Sequence, residues 1–279
     1  MSGLAIQRVT GTLGAVVEGI DLTAPLAAET VAQLEDALFE HLVLFFPGQH
    51  LDDPQQEVFA RHFGVPYTHP LGRLYGNHEA KVERIIDSSE SHPYQDRWHT
   101  DVSFDHQPPA IGTLRAIEIP VFGGDTLWAS TRAAYEALPA DLQERIDGLV
   151  AIHDSGAGEA FAEKAGAALT AKLQAEFPGT EHPVVGTHPI TGRRHLYVNR
   201  QFTRRIAGLP EAESEALLET LYAYVENPNR QLRHRWSEGD LGLWDESATW
   251  HFAAADHFPQ RREMGRMTVR RDGSAARSS

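Results

Sequence analysis

The sequence predicts a mainly-β fold, a sandwich or jelly roll with helices packed outside it. Three observations predict it. From about residue 82 onward, short runs of strand composition recur between turn residues. Helical periodicity is confined to a few separate segments. The length, 279 residues, suits a single all-β unit with a large core.

In chain order, "IQRVTG" and "AVVEGIDL" read as opening strands. In "AAETVAQLEDALFEHL", Val31, Leu34, Leu38 and Leu42 recur at helical spacing, with a cap at Thr30 or just before it. "LVLFFPGQ" is a short apolar run closed by Pro-Gly and suits a buried strand. "DDPQQEVFARHFG" is a second helix, with Asp53 as cap, Pro54 in the first helical position and Gly64 past its end. "VERIID", "WHTDVSF", "IGTLRAIEI" and "DTLWAS" follow as strands. "STRAAYEALPADLQERIDG" is helical, and "HPVVGTHPITGRRHLYVN" is a hairpin turning at "ITGRR". "EAESEALLETLYAYVENP" is the last helix, before strands in "RQLRHRW", "DLGLWDE", "ATWHFAAA" and "RMTVRR".

The net charge of −14 argues against nucleic acid or an anionic membrane as partner. A local basic stretch, "QRREMGRMTVRR" (260–271), stands against that background. The absence of cysteine excludes disulfides and thiol nucleophiles. No signal-peptide pattern opens the chain, and no apolar run approaches the roughly 20 residues that span a bilayer. The expectation is a cytoplasmic protein of one domain, residues 1–279, with a disordered polar tail at about 272–279.

The chemistry-bearing stretch is "RWHTDVSF" (97–104). On a strand, His99 and Asp101 project from one face. Alone, the pair reads as a hydrogen-bonded histidine or a turn aspartate before it reads as a metal site, since the chain has 15 histidines. A second histidine, His251, lies on another predicted strand and is followed by Arg262 and Arg266. Two histidines and one carboxylate on one octahedral face are the ligand set of non-haem Fe(II) oxygenases. A buried Arg fork suits the remote carboxylate of an oxo-acid cosubstrate, and a Thr hydroxyl such as Thr126 can complete its site.

These residues, with "FFPGQ", "RHFGVPYTHP", "GGDTLWAS", "AAYEALP", "HPVVGTHPITG", "YVNRQFTRRI" and "HFAAADHFPQRREMGR" in order along almost the whole chain, resemble the taurine dioxygenase family of Fe(II)/2-oxoglutarate-dependent oxygenases. The resemblance implies a double-stranded β-helix, the cupin-like jelly roll, with Fe(II) on His99, Asp101 and His251. It implies that Thr126 and Arg262 hold 2-oxoglutarate, with O2 as the other cosubstrate. Arg266 matches the position that binds the substrate sulfonate. His69, Gln95, Val102 and Phe202 fall where the family lines its substrate pocket, although Phe202 also fits plain core and His69 a turn. The implied reaction hydroxylates the carbon next to a sulfonate or sulfate ester. It releases an aldehyde plus sulfite or sulfate, with succinate and CO2. A small anionic organosulfur substrate and a homo-oligomer, dimer or tetramer, come with it.

The chain departs from the family's pattern at four places. Gln95 replaces an asparagine, and Gly72 an aromatic pocket tyrosine. "SGAGEAF" (155–161) replaces a serine-phenylalanine arrangement, and "WDES" (244–247) replaces "WDNR". The first three leave the reaction class standing and leave an alkyl sulfate or an aryloxyalkanoate as alternative substrates to taurine. The fourth alters a polar support beside His251. Two other classes compete: a zinc enzyme that activates water in the same site, and a non-catalytic jelly roll that binds an anion. Arg262 with Thr126 argues against the first, since hydrolysis needs no second carboxylate pocket, and the intact ligand set argues against the second.

Overall fold

The computed structural model describes residues 4–74, 76, 79, 81–93, 96–158, 162–163 and 166–271. The tail expected to be disordered lies outside them, as do Gln95 and part of "SGAGEAF". The strands are β1 (Ala5–Arg8), β2 (Ala15–Glu18), β3 (Val43–Phe46), β4 (Val65–Pro66), β5 (Glu83–Asp87), β6 (Ile111–Glu118), β7 (Thr126–Ser130), β8 (Val150–His153), β9 (Thr180–Pro183), β10 (Val185–Thr187), β11 (Arg194–Leu196), β12 (Thr203–Ile206), β13 (Gln231–His234), β14 (Leu241–Asp245), β15 (Thr249–Ala253) and β16 (Arg262–Arg270). The helices are α1 (Ala28–His41), α2 (Asp53–Arg61), α3 (Pro70–Leu74), α4 (Thr131–Glu136), α5 (Ala140–Ile146), α6 (Ala167–Glu176) and α7 (Glu211–Val225).

The architecture is a jelly roll with flanking helices. One large sheet runs β1-β2-β3-β14-β6-β16-β4, with β5 also paired to β16. A smaller sheet, β13-β7-β15, faces it, and β12-β8-β9 and the hairpin β10-β11 stand apart. The register of β14 shows how the layers form. Its run "LGLWD" is buried throughout. Leu241 and Leu243 pack with Leu34 and Leu38 of α1 and Phe59 of α2. Trp244, on the other face, packs with Trp128 of β7, Leu114 of β6 and Met264 of β16 between the two sheets. A continuous apolar strand is what burial on both faces demands, because successive side chains alternate between them. Gly112 lies opposite Trp244 on β6, and a Cβ there would fall 2.2 Å from the indole ring.

Several expectations shift. The cap of α2 is Asp52, whose carboxylate accepts from Gln55 N in a reciprocal capping box, rather than Asp53. Leu42 closes α1 with a left-handed φ of 64° instead of continuing it. "STRAAYEALPADLQERIDG" divides into α4 and α5, with Pro139 capping α5. β8, β9 and β12 form a sheet that periodicity did not mark. The main correction concerns "WHTDVSF". It is not a strand: His99 makes one isolated bridge, and residues 101–105 form a turn.

Candidate active site

His99 and His251 are opposed by a reciprocal backbone pair. His251 N donates to His99 O at 2.7 Å, and His99 N donates to His251 O at 3.1 Å. β15 holds His251 against β7, so this single bridge sets the two imidazoles 4.1 Å apart between centroids. The chain then leaves the bridge in a turn in which Val102 takes φ +53°, a backbone region costly for a β-branched residue. Tyr67 Oη and Arg73 Nη2 donate to Asp105 at 2.6 and 3.0 Å and fasten that turn. Asp101 meets the histidines through this reversal, not through strand alternation. Its Oδ1 lies 3.5 Å from His99 Nε2 and 3.7 Å from His251 Nε2.

His99, Asp101 and His251 are all buried, and among the described residues they form the one group of histidine and acidic side chains placed to hold a metal ion. Their protonation suits that task. Burial drives the His251 imidazole down to about 3, with His99 adding to the effect, so it is neutral near pH 7. Burial alone would raise the Asp101 carboxyl, but the Arg266 guanidinium and the two imidazoles outweigh it and hold it well below the usual range. His99 Nδ1 lies 2.7 Å from Arg97 O, which leaves Nε2 as the ligand nitrogen. His251 Nδ1 has no hydrogen-bond partner, and Glu246 Oε2 stands 3.9 Å from it.

Glu246, in the departing "WDES", is fully buried. Its Oε1 accepts from Trp244 Nε1 at 2.7 Å and its Oε2 from Asp101 N at 3.1 Å. Burial and then the nearby Asp101 charge push its carboxyl well above the usual range. One side chain thus ties the Asp101 turn to the segment leading into β15.

Thr126 and Arg262 come together in a pocket shared with Leu114, Trp128, His251 and Asp87. Arg262 Nη2 donates to Thr126 Oγ1 at 3.4 Å, and its Nε donates to Gly124 O at 2.9 Å. Trp236 Nε1 donates to Thr126 Oγ1 at 2.9 Å and fixes the hydroxyl. Asp87 stands 3.8 Å from Arg262 Nη1 and 3.4 Å from His257 Nε2. Burial is the largest influence on the Asp87 carboxyl and raises it.

Arg266 lies four residues along β16 from Arg262 and therefore on the same face. Its Nη1 donates to both Asp101 oxygens at 3.1 Å and its Nη2 to Glu83 at 2.8 Å. His69 is half-buried near it and is pushed down by desolvation and then by the Arg266 charge. Val102 and Phe202 share an apolar cluster with Tyr67 and Phe104, and the Phe202 ring meets His99 edge-on at 6.3 Å. All the expected site residues but Gln95, which lies outside the described residues, are therefore gathered around one centre.

The family described as "Taurine catabolism dioxygenase TauD, TfdA family" matches residues 5–268. The chain belongs to this family. It is an Fe(II)- and 2-oxoglutarate-dependent dioxygenase that also consumes O2. It is 38% identical over 275 residues to an alkylsulfatase of Acinetobacter baylyi, covering 95% of this chain and 84% of the relative. It is 37% identical to an alpha-ketoglutarate-dependent sulfate ester dioxygenase of Pseudomonas putida, covering 95% and 89%. A taurine dioxygenase structure from Burkholderia xenovorans superposes with a TM-score of 0.80 at 34% identity, covering 96% and 91%. No helix among the described residues is long and apolar enough to cross a membrane.

Sequence reasoning missed Glu83, Asp87, Trp236 and His257. Two of them left a usable trace: Glu83 and Asp87 in "VERIID" are spaced like Arg266 and Arg262 in "RREMGR". That match carries meaning only once β5 and β16 are known to pair.

Proposed function

We propose that this dioxygenase hydroxylates the carbon next to the sulfur group of a small organosulfur anion, with an alkyl sulfate favoured over taurine. The hydroxylated product collapses to an aldehyde plus sulfate, or sulfite for a sulfonate, with succinate and CO2 formed alongside. One observation carries the reading. Two arginines, Arg262 and Arg266, sit on one face of β16, their Cα atoms about 13 Å apart by strand geometry, beside the His99/Asp101/His251 cluster.

In this reading His99, Asp101 and His251 hold Fe(II). The ionised Asp101 and neutral His251 suit a divalent cation. When bound, Fe(II) with 2-oxoglutarate supplies the activation of O2 for hydroxylation. Arg262 and Thr126 grip the far carboxylate of 2-oxoglutarate, the guanidinium oriented by Gly124 O and the hydroxyl by Trp236. Arg266 holds the substrate's anion next to the metal, since a sulfate ester presents acceptor oxygens to a charged fork. His69, Val102 and Phe202 line the path of the carbon chain, as Gln95 is expected to. Gly72 supports an alkyl sulfate, because it leaves room where the family carries a tyrosine, and the two relatives named for sulfate esters support it too. A homo-oligomer, dimer or tetramer, in the cytoplasm belongs to the same proposal, and light scattering on the purified chain tests the assembly.

The functional test is succinate release with taurine, longer sulfonates, alkyl sulfates and phenoxyacetates in parallel. Arg266→Ala raises KM for the organosulfur substrate more than for 2-oxoglutarate, and Arg262→Ala does the reverse. Equal effects of the two substitutions, or no turnover with any organosulfur compound, refute the reading.

A further inference from the structure

Strand β5 lies against β16 in a register that sets Glu83 opposite Arg266 and Asp87 opposite Arg262. Directly opposed residues of an antiparallel pair share a face, so each arginine of the two anion sites faces one carboxylate from this edge strand. The two carboxylates are held differently. Asp87 is buried and also faces His257. Glu83 begins the strand, and 47% of its side chain is exposed while that of Arg266 is 11% exposed. Moving Asp87 would require moving β5, whereas Glu83 needs only a rotamer change into solvent.

The guanidinium of Arg266 meets two acids: Nη1 donates to Asp101, and Nη2 donates to Glu83. If Asp101 is committed to the metal and to Nη1, Nη2 is an arm whose acid partner a substrate anion can displace. A sulfate cannot share that arm with Glu83 without placing two anions in contact.

We propose that Glu83 is an internal stand-in for the substrate's anion: it occupies Nη2 of Arg266 until an organosulfate displaces it, and so sets how strong an anion the site accepts. This rests on the assignment of Arg266 to the substrate anion. A fully ionised sulfate ester displaces Glu83, whereas a neutral compound has nothing to offer in its place. Arg266 meanwhile stays extended toward the site, its charge compensated, before substrate arrives.

The test uses the Fe(II)-loaded, full-length enzyme with hexyl sulfate and measures succinate. Glu83→Gln removes the competitor but keeps a side chain of equal size. An ion pair with one partner half-exposed is weak, so KM for hexyl sulfate is expected to fall roughly two- to fivefold, with kcat and KM for 2-oxoglutarate unchanged. Glu263→Gln removes the same charge from the opposite face of β16, where Glu263 pairs with Arg84 and Arg261, and leaves both KM values unchanged. An Arg266-dependent KM that Glu83→Gln leaves unchanged or raises overturns the role of Glu83 alone. An equal fall of KM in Glu263→Gln also overturns it, since that is a general charge effect. Absence of organosulfate-dependent succinate in the wild type overturns the assigned function, and this inference with it.

Discussion

Glu246→Gln isolates the residue at which this chain leaves the family's pattern. The glutamate accepts two N–H donors, one on each oxygen: Trp244 Nε1 at 2.7 Å and Asp101 N at 3.1 Å. A glutamine has one acceptor oxygen and an amide that only donates. One of the two donors must therefore face another donor in a fully buried site. An unmatched buried donor costs about 1–3 kcal/mol. With an unfolding entropy of about 0.6 kcal/mol/K for 279 residues, the metal-free protein should melt roughly 2–5 °C lower. Metal binding should weaken as well, because the same side chain touches the backbone of one proposed ligand and stands 3.9 Å from Nδ1 of another. Altered partners of this kind typically cost roughly ten- to a hundredfold in affinity. Differential scanning fluorimetry of the metal-free variant and Mn(II) titration followed by electron paramagnetic resonance measure the two effects separately. A variant with unchanged Tm and unchanged Mn(II) affinity would refute the assigned support role.

Three further outcomes are expected. Trp236→Phe removes the donor that fixes Thr126 Oγ1, so KM for 2-oxoglutarate should rise about two- to tenfold while KM for the organosulfur substrate holds. Gly112→Ala drives a Cβ to 2.2 Å from the Trp244 ring, and calorimetry should show a loss of roughly 1–3 kcal/mol or more, as overpacked cores do. The third concerns pH. Burial, with His182 adding to it, holds His153 at about 3 against the ordinary 6.5. As pH falls from 6.5 toward 3, the unfolded chain binds a proton that the native His153 does not, so its contribution to stability is complete above 6.5 and declines below it. The decline approaches 1.4 kcal/mol per pH unit for one proton, about the value of a one-unit shift. Denaturant titrations at pH 7 and pH 5.5 should show a shallower dependence in His153→Gln, and an unchanged slope would count against a neutral native His153.

Much of this was legible in the chain. Strand composition, turn residues and the spacing of Val31, Leu34 and Leu38 marked most elements, because local propensity and burial agree there. The site residues were legible as types: two histidines, a carboxylate, a threonine and two arginines in stretches of familiar order. The strand assigned to "WHTDVSF" was wrong for a physical reason. Its composition suits a strand, but the Asp101 amide is claimed by Glu246 and the following turn by Tyr67 and Arg73, partners far away in sequence.

The sequence by itself determined the reaction class, since the ligand types, the arginines and their order are carried by residue identity. The tertiary structure decided the rest. It decided that Asp101 reaches the histidines through a reversal, because hydrogen bonds from distant residues outweigh local strand propensity. It decided that Glu246 joins two segments of the site, because both oxygens of one buried carboxylate find donors. It also decided that Glu83 and Asp87 face Arg266 and Arg262, because strand register depends on which strands pair and is not written into either strand alone.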